Sequence, residues 1–214
     1  MKRIQLILLM TILSTSAIYA VENFILEVES GVTWLHNEAY GSIGTGDSDP
    51  DPILYRIGAA FPIYISDSFF IRPSLTVISN YWQYVPVNNW AMPVDKQWGE
   101  LLVLSTLLDV SFGYQLNFKS FSLAFFAGPA FNFRIPAWGP DSTYRSEMAS
   151  YFYKEMNFIH IAAGFFFVIP LSEQIGLTIK GDSWIPLDNL WSSSGLPFSD
   201  GLMVTLSAGV RFIF

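Results

Sequence analysis

The sequence predicts an all-β protein, an eight-stranded antiparallel up-and-down transmembrane β-barrel that follows an N-terminal signal peptide. Eight segments alternate apolar and polar residues with a period of two, which is the pattern of strands whose two faces meet different environments. The connections between these segments are long and short in strict alternation. Hydrophobic residues make up 51% of the chain and charged residues only 14%, against about 25% charged residues in soluble domains. Together these observations indicate a sheet that closes on itself within lipid.

The first twenty residues have the three parts of a secretory signal peptide. Two basic residues precede an apolar run at 4–13, and small residues follow it. This run is shorter than the roughly 20 residues that a membrane-spanning helix needs. Cleavage after Ala17 fits the small-x-small rule, whereas cleavage after Ala20 leaves a tidier start. We therefore divide the chain into a signal peptide, 1–20, and an outer-membrane β-barrel, 21–214.

The first four predicted strands are, in order, 24–36, 53–65, 69–82 and 100–115. In each of them an apolar residue stands at nearly every second position, which gives the strand one oily face. The opposite face is polar or small, and its charged residues are Glu27, Glu29, Arg56, Arg72 and Asp109. We expect the oily face to meet lipid and the other face to line the barrel interior.

The last four predicted strands are 120–133, 158–169, 175–185 and 201–214. Their inward faces carry mostly small or polar residues, and the charged ones are Lys180, Asp182 and Arg211. The final strand shows the clearest alternation, because every second residue from Leu202 to Phe214 is apolar. Such a strand is longer than the about 5–6 residues usual in soluble proteins, and its length is typical of a strand that crosses a membrane.

The connections separate into two classes by length. The short ones are 66–68, 116–119 and 170–174, and the long ones are 37–52, 83–99, 134–157 and 186–200. Barrels of bacterial outer membranes have short periplasmic turns, long external loops and an even number of strands. We therefore expect the protein in the bacterial outer membrane, with both termini periplasmic and the long loops external. A soluble sandwich would have no reason to sort its loops in this way.

Charged residues on the inward faces predict a polar plug in the lumen. Its members are Glu27, Glu29, Arg56, Arg72, Asp109, Lys180, Asp182 and Arg211. Charges inside a narrow barrel must pair or hold water, because an unpaired buried charge is costly. We expect Arg72 and Arg211 to pair with Glu27, Glu29 or Asp109. The plug is either a structural salt-bridge network or a gated polar path, and the narrow interior of eight strands favours the former.

Above this plug, towards the long loops, the inward positions become apolar. The candidate residues of this upper lumen are Leu35, Leu54, Trp82, Leu101, Val103, Trp184 and Met203. They predict either an apolar cup that receives a hydrophobic molecule from outside or simple packing of the upper barrel. His160 also faces inward and Arg134 stands at the end of its strand. We interpret the histidine as a hydrogen-bonded residue in preference to a catalytic one.

No sequence motif assigns an enzymatic or cofactor-dependent role. The chain contains no Cys, and it has no nucleophile elbow, no zinc-protease motif and no phosphate-binding loop. The acidic segment Asp47–Asp51 fails the calcium-loop pattern, because Pro52 and Gly58 stand where that loop needs Gly and Glu. We expect no metal, no cofactor and no enzyme activity. The net charge of −7 argues against nucleic acid as a partner.

The chain resembles the small eight-stranded outer-membrane proteins of the OmpW, OmpA and OmpX type. The segment Ser207–Phe212 is similar to the S-A-G-x-R-F ending of the OmpW family, and Phe126–Ala130 lies where that family has its G-A-G-like strand. The OmpW resemblance implies binding or passage of small hydrophobic molecules through an oily lumen with a lateral exit. The inward charges resemble the OmpA type, which implies a closed structural or surface-interaction barrel without transport. Lipid-modifying enzymes on this architecture are a third possibility, and they would need a Ser and His pair at the outer rim.

The C-terminus carries a candidate assembly signal. Val210, Phe212 and Phe214 lie on one face of the last strand, and the terminal Phe resembles the signal that the barrel assembly machinery recognises in outer-membrane proteins. The last strand must pair with the first to close the sheet. A factor that holds this end by β-augmentation would therefore control closure. The expected partners are outer-membrane lipid, this machinery and, in the OmpW-like reading, small hydrophobic ligands.

Overall fold

The structure is a computed structural model, and it describes residues 24–36, 53–87, 89–94, 101–138, 144–190 and 201–214. The signal peptide and the acidic segment Asp47–Asp51 lie outside these residues. In chain order the strands and the helix are β1 Ile25–Leu35, β2 Ile53–Ala60, β3 Ile63–Tyr64, β4 Phe69–Val85, β5 Trp90–Val94, β6 Leu101–Asn117, β7 Ser122–Trp138, α1 Arg145–Tyr153, β8 Ile159–Pro170, β9 Ile175–Pro186 and β10 Met203–Ile213.

These strands form one closed antiparallel barrel. Neighbours in the wall follow the order β2, β1, β10, β9, β8, β7, β6 and β4, and β2 also pairs with β4 to complete the ring. The short strand β3 continues β2 after an interruption at Pro62, which has no N–H to donate. The Phe61 amide still donates to the Pro73 carbonyl at 3.0 Å, so the wall stays paired there. This confirms the predicted eight-stranded up-and-down barrel.

The three short connections lie at one end of the barrel, together with the chain ends of β1 and β10. Two of them use the same turn chemistry: the hydroxyls of Ser66 and Ser172 accept hydrogen bonds from the amides of Phe69 and Ile175, each at 3.1 Å. The Phe214 amide donates to the Phe24 carbonyl at 2.9 Å. We call this the short-turn end and the opposite one the long-loop end.

Three segments expected to be loops contain regular structure. The prediction for 83–99 was wrong in part, because β4 continues to Val85 and pairs with β5 in a hairpin. Pro93 obscured this strand, and it is tolerated because β5 lies at an edge of the sheet. The prediction for 134–157 was also wrong in part, because β7 continues to Trp138 and α1 follows. The last long connection holds a short 3-10 helix, Asp188–Leu190.

The outer surface of the barrel is an apolar belt. In β2 the residues alternate between exposed and buried, and Ile57 on its outward face is 60% exposed. Phe112 of β6 and Leu206 of β10 are exposed to 60% and 61%. At the short-turn end the rings of Phe24 and Phe214 lie 5.7 Å apart, as expected for an aromatic girdle. A belt of this kind is stable only when lipid covers it.

Glycines on the inward face allow neighbouring strands to come close inside this narrow barrel. A Cβ on Gly31 would lie 2.2 Å from the Leu206 carbonyl oxygen, and one on Gly128 would lie 2.2 Å from the Val110 carbonyl oxygen. Any side chain at these positions would push two strands apart. Glycine is therefore required at these two positions for the neighbouring strands to pack this closely. No helix in the described part of the chain is long and apolar enough to span a membrane.

Candidate functional site: a lumen filled in three layers

At the short-turn end the lumen is closed by an apolar layer. This lower layer consists of Phe70, Ala124, Phe126, Phe166 and Val168, with Tyr64 packed against it. The rings of Phe126 and Phe166 each lie 5.5 Å from the guanidinium carbon of Arg72, which rests on them as a stacked cation. The sequence analysis missed this layer. The alternation of inward and outward residues could have revealed it, because Phe126 and Phe166 stand at inward positions of their strands.

The charged layer lies above it and contains all eight residues of the predicted polar plug. Each of these residues is at most 5% exposed. Glu27 is bound by two arginines: Arg72 Nε donates to one carboxylate oxygen at 2.9 Å, and Arg211 donates to the other through Nε at 2.9 Å and Nη2 at 2.5 Å. The Arg211 Nη1 also donates to the Tyr64 hydroxyl at 3.1 Å. The charged layer is thus tied to the lower layer.

A second group within the charged layer surrounds Glu29. Its carboxylate accepts hydrogen bonds from Arg56 Nη2 and Lys180 Nζ, and Arg72 Nη2 lies 3.5 Å away. Arg56 also reaches Asp182 at 3.2 Å, and Lys180 lies 3.5 Å from the same carboxylate. The contacts therefore join β1, β2, β4 and β9 across the lumen. Each cation of the charged layer has a carboxylate partner, as stable burial of charge requires.

Asp109 is held differently from the other three acids. Its carboxylate accepts hydrogen bonds from the hydroxyl of Ser74 and, at 2.6 Å, from the hydroxyl of Ser111. Asp109 was predicted as a possible partner of Arg72 or Arg211, but two serine hydroxyls bind it instead. With four carboxylates and four cations, this layer carries no net formal charge. Within the described residues no group of three or more His, Cys, Asp or Glu is arranged to hold a metal ion.

The upper layer is apolar and includes the seven residues proposed as the upper lumen. They form one cluster, in which every one of them is at most 8% exposed. Met148 and Phe152 of α1 complete this cluster, with exposures of 0% and 1%. The Phe152 ring meets the Trp82 ring edge to face at 4.9 Å. The space that an apolar ligand would use is therefore occupied by a helix of the protein's own long loop.

Arg134 anchors this helix to the barrel wall. Its guanidinium carbon lies 5.4 Å from the Trp82 ring centre and 5.6 Å from that of Phe152. The Tyr153 hydroxyl donates to the Arg134 carbonyl oxygen at 3.1 Å. When the side-chain amide of Asn132 is turned so that its oxygen faces Arg134, that oxygen accepts hydrogen bonds from Nε and Nη2 of the arginine, both at 3.1 Å. His160 is fully buried nearby, and its ring nitrogens have no hydrogen-bond partner within the described part of the chain.

The three residues of the proposed assembly signal lie at the short-turn end, two in β10 and Phe214 directly after it. Phe214 is 69% exposed, and its ring lies 6.4 Å from that of Phe212 and 5.7 Å from that of Phe24. Val210 pairs in register with Val28 of β1. The outward face at the seam between the first and last strands is thus apolar and aromatic.

The closed eight-stranded ring and its apolar belt define a transmembrane β-barrel of the small outer-membrane class. Neisserial surface protein A has the same fold, with 13% identity over 89% of this chain and 97% of that chain and a TM-score of 0.52. Two further similar structures are Ail, the attachment invasion locus protein of Yersinia pestis, and the N-terminal β-barrel domain of Pseudomonas aeruginosa OprF. Ail is 7% identical over 90% of this chain and 98% of its own, with a TM-score of 0.45. The OprF domain is 9% identical over 89% of this chain and 97% of its own, with a TM-score of 0.43.

At these identities the likeness concerns the fold. No family model and no curated protein matches the sequence.

Proposed function

We propose that the protein is a closed barrel of the bacterial outer membrane that presents its long loops to the outside and does not conduct. In this proposal both termini face the periplasm. Outer-membrane lipid surrounds the belt, and the barrel assembly machinery inserts the chain. The barrel is assigned no catalytic role. The long loops carry whatever interaction the protein has with its surroundings, as loops on a rigid scaffold commonly do.

The observation that carries this proposal is the filling of the lumen at three successive levels. A path for ions or solutes would have to cross the Phe126 and Phe166 layer, the paired charges around Glu27 and Glu29, and the layer sealed by α1. In the charged layer each of the four cations is paired with a carboxylate, and Asp109 is held by two serine hydroxyls, so a passing solute would have to compete with these contacts. An eight-stranded barrel leaves just enough interior for such side chains.

Recordings in planar lipid bilayers test the proposal. The purified barrel is expected to give no unitary conductance above the background of the empty bilayer. A variant with Met148→Ala and Phe152→Ala is also expected to stay silent, because the lower and charged layers remain intact. A folded porin in the same bilayers is the positive control. Regular conductance steps from the wild-type barrel would overturn the proposal.

The position of α1 favours one second candidate, the OmpW-like binding of small hydrophobic molecules. The upper layer is completed by two side chains of a loop helix, Met148 and Phe152, instead of by the barrel wall alone. A loop helix is easier to displace than a strand, because no ladder of hydrogen bonds ties it to the sheet. An apolar ligand would then take the volume that these side chains fill.

Binding of an apolar fluorescent probe separates the two candidates. Under the second candidate, Met148→Ala with Phe152→Ala is expected to increase probe binding, since the cup is emptied. Under the first, the wild type does not bind the probe inside the lumen, so the wild type decides between the candidates. The part of the tryptophan quenching by a brominated apolar probe that disappears in Trp82→Phe reports binding in the cup, because Trp82 contacts Phe152.

A further inference from the structure

The chain between the end of α1 and the start of β8, residues 153–158, carries exposed apolar side chains. We call it the connecting segment. Tyr153 is 43% exposed and Met156 is 55% exposed, although both belong to a connection that the sequence predicts to be an external loop. A single exposed apolar residue is common on soluble surfaces. These two lie beside the lipid-facing belt, and the contacts of the segment show how closely it is joined to that belt.

The ring of Phe158 lies on the outer face of the barrel. It is 6.5 Å from the ring of Phe131 and 6.2 Å from the ring of Phe133, and the ring of Tyr153 follows at 6.0 Å from Phe158. Phe131 points outward with 38% exposure, and Phe133 stands two residues further along the same face of β7. The connecting segment therefore extends the apolar belt sideways over the wall.

The segment also covers an edge of β7. This strand continues beyond Phe131, the last of its residues that pairs with β8. Past that point the Asn132 amide donates to the Phe158 carbonyl at 2.8 Å, and the Tyr153 hydroxyl donates to the Arg134 carbonyl at 3.1 Å. Groups of the protein thus satisfy both backbone positions, as an environment poor in water requires.

The wall behind the segment is apolar over its whole height. Ile135 stands on the outward face of β7, one residue beyond the Arg134 carbonyl that Tyr153 reaches, and it is 55% exposed. The apolar belt therefore extends at least as far towards the long-loop end as the connecting segment does. A segment at this level lies beside lipid and not above it.

The backbone of Met156 supplies an independent observation. Its φ is +65°, in the left-handed region that is unfavourable for most residues other than glycine and asparagine. Among the described residues the other non-glycine with a positive φ is Asn89, a residue type that adopts it readily. The turn at Met156 thus presents an exposed apolar side chain where a turn in water usually has Gly or Asn. Contact with lipid would offset the backbone cost, whereas contact with water would not.

We propose that the connecting segment is anchored in the lipid leaflet at the long-loop end, with Tyr153, Met156 and Phe158 at the boundary between acyl chains and head groups. Aromatic and apolar side chains with polar neighbours favour this boundary. The helix α1 is then held on two sides, by Phe152 in the upper layer and by lipid at its end. The contact lies outside the lumen, so it does not depend on whether the barrel conducts.

The polar residues of the segment are compatible with this position. The side-chain amide of Asn157 donates to the Tyr151 carbonyl at 3.1 Å, and its backbone amide donates to the Lys154 carbonyl at 3.1 Å. Lys154 is exposed, and a lysine stem is long enough to carry its ammonium group to the head groups.

Site-directed spin labelling tests the proposal, because the chain contains no cysteine and each variant offers a single thiol. Met156→Cys is compared with Ile161→Cys, which is 39% exposed in the belt, and with Ser146→Cys at the exposed start of α1. The labelled barrels are placed in phosphatidylcholine vesicles. Power saturation then measures collisions of the nitroxide with oxygen, which concentrates in lipid, and with a polar nickel chelate, which stays in water. We expect the ratio of oxygen to nickel accessibility at Met156 to be several-fold higher than at Ser146 and close to that at Ile161.

A label at Met156 with the same ratio as the label at Ser146 would overturn the proposal, because the segment would then lie in water. Low accessibility to both reagents would also overturn it, since the side chain would then be covered by protein. The gel shift between folded and unfolded barrel checks each variant. If Met156→Cys does not fold, Tyr153→Cys is measured in its place, and the same two outcomes decide.

Discussion

Glu27 and Arg211 face each other in register across the seam where the first and last strands meet, and their side chains pair inside the lumen. The pair therefore joins the two ends of the sheet. It belongs to a buried network, because Arg72 binds the second oxygen of the same carboxylate. Removal of one member leaves another charge buried without its partner.

We expect Arg211→Ala and Arg72→Ala each to destabilise the barrel by about 3–5 kcal/mol, the usual loss when one partner of a buried pair is removed. The measurement is unfolding by urea or heat in detergent, followed by the gel shift between folded and unfolded barrel. Lys119→Ala in an exposed turn is the control, and its effect should stay within about 0.5 kcal/mol. If both arginine variants unfold as the wild type does, water replaces the pairs and the lumen is not a sealed network.

The helix α1 gives a second prediction, on packing in the upper layer. Phe152→Ala should cost about 3–5 kcal/mol, because a fully buried ring is lost and a cavity remains. Tyr153→Phe is the matched change in the next residue, and it should cost only about 1 kcal/mol through its hydrogen bond to the Arg134 carbonyl. Limited proteolysis should cut α1 faster in the first variant. Equal cleavage of wild type and Phe152→Ala would show that the helix is not anchored by this ring.

The topology gives a third prediction. Epitope tags inserted at Asp49, Asn88 or Ser193 should be reached by antibody on intact cells, because these positions belong to long connections. Ser146 belongs to the same set, but a tag there would also interrupt α1. Tags at Asp67 or Asn117 should be reached only after the outer membrane is permeabilised. Labelling of the second group alone on intact cells would mean that the barrel is inserted in the opposite sense.

Phe214 gives a fourth prediction, which separates assembly from stability. The ring is 69% exposed on the outer surface, so its removal should cost less than the about 1.5–3 kcal/mol of a fully buried side chain. Phe214→Ala should therefore refold in detergent as the wild type does. In cells it should accumulate in the periplasm, because recognition depends on the terminal ring. Phe24→Ala removes the ring that contacts Phe214 and is the control. Equal outer-membrane levels of Phe214→Ala and wild type would limit this ring to lipid contact.

The strands and their two faces were predictable because the barrel separates two very different solvents. Ile57 meets lipid while its neighbour Arg56 lies in the charged layer, so apolar and polar residues alternate along the strand with a period of two. The lower layer was not predicted, because phenylalanine occurs both inside the lumen and on the lipid-facing surface at this end of the barrel. In the run Phe165–Phe167 the middle residue is buried and its neighbours face outward, and the residue type does not reveal the difference.

The helix could not be predicted for a related reason. Met148 and Phe152 are spaced four residues apart, as one face of a helix requires. Tyr151 and Tyr153 beside them are also aromatic, so the apolar pattern has no clear period. No side chain caps the start of α1. Its position is decided by packing against Trp82 and Arg134, which are more than ten residues distant in the chain.

The charged layer also sets the order of assembly. Arg56 is separated from Asp182 by 126 residues, Lys180 from Glu29 by 151, and Arg211 from Glu27 by 184. None of these pairs can form until the last strands have arrived, since contacts between distant segments come late in folding. A partly inserted sheet therefore contains carboxylates and cations without partners, which need water around them. Closing the lumen at that stage would bury unpaired charges and is unfavourable. All the charged partners are present only after β10, which carries Arg211, has been inserted. The barrel therefore closes stably only when its last strand is in place.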